Sequence, residues 1–105
     1  MTDSLQPELC AKLLRALADP ERLRLIQCLR SGPLNVGDLA ARIDDEVVNV
    51  SHHLGVLRHS GLLLDEKQGR FVIYRLNPEF FPEASGRKGT NCIDLGCCQL
   101  DLPKP

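Results

Sequence analysis

Apolar residues recur along the first half of the chain at spacings of three and four, the period of helices with one buried face. Between Pro7 and Ala18 they are Leu9, Leu13, Ala16 and Leu17. Asp19-Pro20-Glu21 then signals a second helix, supplying a cap, a residue pre-set for the first turn and an acid at the positive end of the dipole. Leu23, Ile26, Cys28 and Leu29 carry it on until Ser31-Gly32-Pro33 ends it. Asn35, with Asp38 three residues on, caps a short third helix whose inner face is Val36, Leu39, Ala40 and Ile43. Asp44-Asp45-Glu46 turns into a long fourth helix with inner positions Val47, Val50, Leu54 and Leu57, stopped by Gly61. Beyond it the period shortens. Leu62-Leu63-Leu64 and Phe71-Val72-Ile73-Tyr74-Arg75-Leu76 read as strands around the polar segment 65–70, a hairpin. Short helix, tight turn, long helix and hairpin predict a winged helix-turn-helix, mainly α with a small β-hairpin wing.

From Asn77 the pattern breaks up. Pro78, Pro82, Gly86, Gly89 and Gly96 interrupt any long helix, and Leu100 and Leu102 alternate with Gln99 and Asp101 as a short strand before Pro103. The chain therefore divides into a winged helix-turn-helix over residues 1–77 and a Pro/Gly-containing, Cys-rich tail over residues 78–105. The tail is expected to join the same compact unit as a sensor and dimer-contact segment.

The outward side of the fourth helix brings in chemistry. Asn49, Ser51, His52, His53, Arg58 and His59 lie off its apolar stripe, and no acid occurs between Glu46 and Asp65, although the net charge of the chain is −1. An acid-free polar front suits a surface that approaches phosphates, so this stretch is expected to be a DNA-recognition helix. Asn49, Ser51 and His52 can hydrogen-bond base edges, Asn most naturally to adenine. Arg58, with Lys67 and Arg70 on the wing, can neutralise phosphates, and His53 is counted in the same DNA-facing set. The net charge excludes a global basic field, so any affinity for DNA comes from local charge placement. A zinc site among the histidines is disfavoured: His52 and His53 are adjacent and diverge by about 100° around a helix, and no pair has the i,i+4 spacing of a helical metal site.

The chain has 105 residues, 43% hydrophobic and 26% charged, with three Phe, one Tyr and no Trp. Its core must be mostly Leu, Ile, Val and Ala, and so short a chain gains buried area by pairing with a second copy. Met1-Thr2-Asp3-Ser4 has neither the basic nor the apolar region of a signal peptide. No apolar run approaches the ~20 residues of a membrane span. A cytoplasmic protein without a membrane partner is expected, in which five cysteines serve as thiols or ligands. No Cys–His–acid constellation points to a thiol enzyme.

Three stretches together resemble the ArsR/SmtB family of bacterial metal-responsive repressors. They are ALADPERLRL from Ala16 to Leu25, VSHHLGVLRHSGL from Val50 to Leu62, and GRFVIYRL from Gly69 to Leu76. The resemblance implies a homodimeric winged-helix repressor that binds a palindromic double-stranded operator and leaves it when an inducer binds. Two departures stand out. Family members usually begin the recognition helix with Ser/Thr and Gln, whereas Glu46, Val47 and Val48 stand here, leaving base readout to Asn49, Ser51 and His52. The family's long closing helix has no counterpart in this tail, so dimerisation falls to the first helix, with the terminal strand.

The family's third-helix cysteine pair is also missing, replaced by Asn35, Val36, Gly37 and Asp38. The tail instead holds Cys92, Cys97 and Cys98 within seven residues, a trigonal thiolate set for a soft ion. Arsenite or antimonite is the expected inducer, with zinc or cadmium as lesser candidates and no cofactor required. In a regular strand Cys97 and Cys98 would point to opposite faces, so this set needs a turn or bulge at Gly96-Cys97. A redox pair, or packing with Cys98 in the core beside Leu100 and Leu102, stays open, as does a winged-helix protein-interaction module without metal sensing. Cys10 and Cys28, on helices beside core leucines, are assigned to packing, and a site across the dimer stays open to Cys10 where the two termini meet.

Overall fold

Capping chemistry sets the helix boundaries in the computed structural model, which describes residues 7–82 and 91–102. Gly86, Gly89 and Pro103 lie outside the described residues. Helix α1 spans Pro7–Leu17 and α2 spans Pro20–Leu29. The Asp19 side chain accepts from the backbone N–H groups of Glu21 and Arg22 at 3.0 and 3.1 Å. The two N–H groups and the nearby Arg22 and His53 hold its carboxyl below the ordinary value of 3.8, the Arg22 N–H having the largest effect. Asp19→Ala is expected to cost about 0.5–2 kcal/mol, read as a lower denaturant midpoint. Since the folded-state pKa is depressed, this contribution is present above the ordinary aspartate range and is lost as pH falls through the folded value.

Asn35 Oδ1 accepts from the Asp38 N–H at 2.8 Å and opens α3, Val36–Ile43. Asp44, left-handed at φ +55°, turns the chain into α4, Val47–Ser60. Gly61 at φ +91° ends α4. Its N–H donates to Arg58 O, and the Leu62 N–H donates to Leu57 O at 3.1 Å, a closure that favours glycine at the left-handed position.

The wing is longer than the sequence suggests: β2 covers Leu63–Gln68 and β3 Phe71–Leu76, leaving only Gly69-Arg70 as the turn. The polar residues 65–68 pair along the ladder because an antiparallel ribbon exposed to water accepts polar side chains on both faces. Leu34–Asn35 forms a further strand, β1, opposite Ile73 and Tyr74, giving the sheet order β1-β3-β2. The tail forms a hairpin of its own, β4 (Cys92–Asp94) against β5 (Gln99–Asp101).

The core is one aliphatic cluster. Leu13, Ala16 and Leu17 of α1, Leu25, Ile26 and Leu29 of α2, Leu39 and Ala40 of α3, and Val50, Leu54 and Leu57 of α4 are all buried. Phe81, Ile93 and Leu95 bring the tail into the same cluster. Arg30 Nη2 donates to Asn91 O at 2.9 Å and the Asp94 N–H to Phe80 O at 2.8 Å, fastening it.

Two expected core positions differ. Val47 is 49% exposed, because at 100° per residue it sits about 50° round from the centre of the Val50–Leu54–Leu57 stripe. Leu9, in the first turn of α1, is likewise exposed. Among the described residues no helix is long and apolar enough to cross a membrane.

Candidate nucleic-acid interface and thiol cluster

The inner stripe of α4 packs against the other helices and turns its outer side to solvent. Val48, Asn49, Ser51, His52, Arg58 and His59 are exposed there, as are Lys67 near the end of β2 and Arg70 in the wing turn. Two of the expected DNA contacts are partly engaged within the chain. Arg58 Nε lies 3.6 Å from Asp65 Oδ2 on the wing, a surface pair too weak to hold it there against a phosphate. The Asn49 Nδ2 amide donates to Asp45 Oδ1 at 3.2 Å.

His53 takes a different position from the outward one expected of it. Only 15% exposed, it points at the start of α2. Its Nδ1 lies 3.1 Å from Arg22 Nη1 and 3.9 Å from Asp19 Oδ2, and its Nε2 lies 3.6 Å from Glu21 Oε1. Arg22 also donates from Nε to Ala16 O at 2.6 Å and from Nη2 to Arg15 O at 3.3 Å. Glu21 hydrogen-bonds Asp45, which pushes the Glu21 carboxyl up and holds the Asp45 carboxyl down. His53 thus belongs to a polar junction that fixes the angle of α4 against α1 and α2. The reason is the helical period: residue 53 lies one position from the apolar Leu54 and 200° from Ser51.

Sequence reasoning also missed basic residues on α1. An open groove of about 610 Å³ between α1 and α4 is lined by Lys12, Arg15, Arg22, His52 and His59, with no carboxylate lining it among the described residues. The i,i+3 spacing of Lys12 and Arg15 was the available signal, since it puts both on one helix face.

The second cluster is made of sulfur. Residues 95–98 form the turn between β4 and β5, closed by the Leu95 N–H donating to Cys98 O at 2.9 Å, with Gly96 at φ +87°. A glycine there lets the chain reverse so tightly that Cys97 and Cys98 no longer alternate across a strand. Cys97 meets Cys10 of α1, the two joined sulfur to sulfur with Cα atoms 6.4 Å apart. Cys98 completes a group of three sulfurs within 4.8 Å of one another. Cys92 is not among them: it lies on β4 opposite Asp101, outside the turn. The sulfurs brought together are thus those of Cys10, Cys97 and Cys98, and of the expected Cys92, Cys97 and Cys98 the structure joins only the last two, because α1 packs against the tail. Cys28 is half-buried on α2, and burial pushes its thiol up, as suits a packing residue.

Comparison with known proteins agrees with this architecture. A helix-turn-helix domain family model matches residues 17–66. The chain is 47% identical over 68 residues to the arsenical resistance operon repressor of Escherichia coli, an alignment covering 64% of this chain and 58% of that protein. It thus spans little more than half the length of that relative. With the HTH-type transcriptional regulator CmtR of Mycobacterium tuberculosis it shares 38% identity over 86 residues, covering 82% of this chain and 73% of CmtR. A crystal structure of an ArsR family transcriptional regulator superposes with a TM-score of 0.66 at 30% identity, covering 78% of this chain and 84% of that one. The chain belongs to the ArsR/SmtB family of winged helix-turn-helix regulators.

Proposed function

We propose that this protein is a cytoplasmic, homodimeric repressor that binds operator DNA and is released when a soft metal or metalloid ion binds its cysteine thiolates. The observation that carries the reading is the convergence of Cys10, Cys97 and Cys98 in a chain whose fourth helix offers an acid-free outer face. Ser51, His52 and Asn49 would meet base edges, while Arg58, Lys67 and Arg70 would meet phosphates, joined by Lys12 and Arg15 at the edge of the groove. The names of the arsenical resistance relatives favour arsenite. Once a dithiol reductant has given the Cys10–Cys97 bond two electrons and two protons, the three thiols and arsenous acid combine to an arsenic tris-thiolate with release of three waters, a trigonal product that suits three converging sulfurs.

Exposed Leu14 on α1 and Leu100 on β5, which line one hollow, form an apolar seam where a second copy would dock. Since α1 carries both Cys10 and this seam, an ion held between α1 and the tail would bias the spacing of the two recognition helices. A coupling of ~1–3 kcal/mol would weaken operator binding by 5–150-fold.

Electrophoretic mobility across a salt series tests the DNA half. Affinity should fall steeply with salt, and Lys67→Gln and Arg70→Gln, each removing two phosphate contacts per dimer, should each lower the log–log slope by about 1.8. A flat salt dependence would overturn the assignment of this face to phosphates.

The bond between Cys10 and Cys97 favours a second reading, release by oxidation. Hydrogen peroxide would take two electrons and two protons from the two thiols, giving a disulfide and two waters. Titrating the complex with arsenite under reductant, and with peroxide in its absence, separates the two triggers.

A further inference from the structure

We propose that Val47 and Val48 read the 5-methyl groups of thymines in the major groove, so that the half-site is specified partly by apolar contact. The inference rests on the operator-binding reading above and assigns the first turn of α4 a role within it. Val48 is 79% and Val47 49% exposed, at the start of the second helix of a helix-turn-helix, where side chains meet base edges. Val47, Val48, Ser51 and His52 are spaced i, i+1, i+4 and i+5. At 100° per residue they form one ridge, and all four are exposed.

The turn before the ridge is held in place. Asp45 Oδ1 accepts from the Glu46 N–H at 2.7 Å and from Asn49 Nδ2 at 3.2 Å. Asn49 is thereby braced by the turn, and the two isopropyl groups stand exposed beside it. They can neither donate nor accept a hydrogen bond. The thymine methyl is the apolar group that the major groove presents. An exocyclic amine of adenine or cytosine beneath a valine would instead lose its water without gaining a partner. Two β-branched residues are also poor choices for a solvated first turn on propensity alone, whereas contact with thymine gives them an apolar surface to cover.

The test uses the full-length protein and a randomised duplex pool. Duplexes retained by the protein are sequenced, and each thymine common to them is replaced by deoxyuridine, which lacks only the methyl. Each methyl in contact with a valine should cost about fourfold in affinity, the equivalent of one buried methyl group. A Val47→Ser, Val48→Ser protein should bind the thymine and uracil duplexes equally. Wild-type binding indifferent to every thymine-to-uracil exchange overturns the proposal even though DNA is bound. Retention of no duplex at low salt overturns the operator-binding reading itself, and this inference with it. Because the uracil series needs only the unmodified protein, a folding defect in the serine variant leaves the test intact.

Discussion

Serine in place of Cys10, Cys97 or Cys98 is expected to abolish arsenite-induced release while leaving ion-free operator affinity unchanged. A hydroxyl is a hard, weakly acidic donor, so each single exchange removes one of three soft ligands and leaves the DNA-facing residues of α4 and the wing untouched. The ratio of affinities without and with arsenite should fall from the 5–150-fold that a coupling of ~1–3 kcal/mol gives to near one. Cys92→Ser and Cys28→Ser should respond like the wild type. Operator titrations by fluorescence anisotropy, with and without arsenite, measure all five variants. A Cys10→Ser protein that still lets go, beside a Cys92→Ser protein that does not, would return the site to the tail alone.

Leu54→Ala should be the most damaging single change in the helix-turn-helix. Leu54 is fully buried where α4 meets the other helices, and removing three carbons there loses both their burial and the contacts around the resulting space, about 2–5 kcal/mol. Small domains carry roughly 5–15 kcal/mol in total, so the variant should unfold at a much lower urea concentration with the slope of the transition unchanged. Val48→Ala, six residues earlier on the outer side, should stay within about 0.5 kcal/mol of the wild type. Equal losses at both positions would mean that the two sides of α4 are not distinguished by packing.

Local signals in the sequence located what local chemistry decides. Asp19-Pro20, Asn35 with Asp38, and Gly61 each satisfy backbone groups within a few residues, so the helix boundaries could be read before any contact was known. Strand β1 could not: two residues pair with Ile73 and Tyr74 nearly forty positions later, and nothing in Leu34-Asn35 announces such a partner. His53 shows the limit of a helical wheel. It looked outward beside Ser51 and His52, but its surroundings are set by Arg22 and Glu21, which arrive from α2. Cys10 shows the same limit for the thiols. Its place beside Cys97 and Cys98 depends on α1 packing against a tail that lies at the far end of the chain, whereas the need for a turn at Gly96 was visible from the parity of Cys97 and Cys98.

The meeting of Cys10 with Cys97 joins positions 87 residues apart. Any covalent bridge there, through sulfur or through a shared arsenic atom, converts nearly the whole domain into a ring. The denatured ensemble of such a ring is restricted, which by chain entropy favours the native form by roughly 4–5 kcal/mol. Occupancy of the sensor would then govern survival as well as DNA release: the unbridged subunit opens more often and is the form that cellular proteases degrade first.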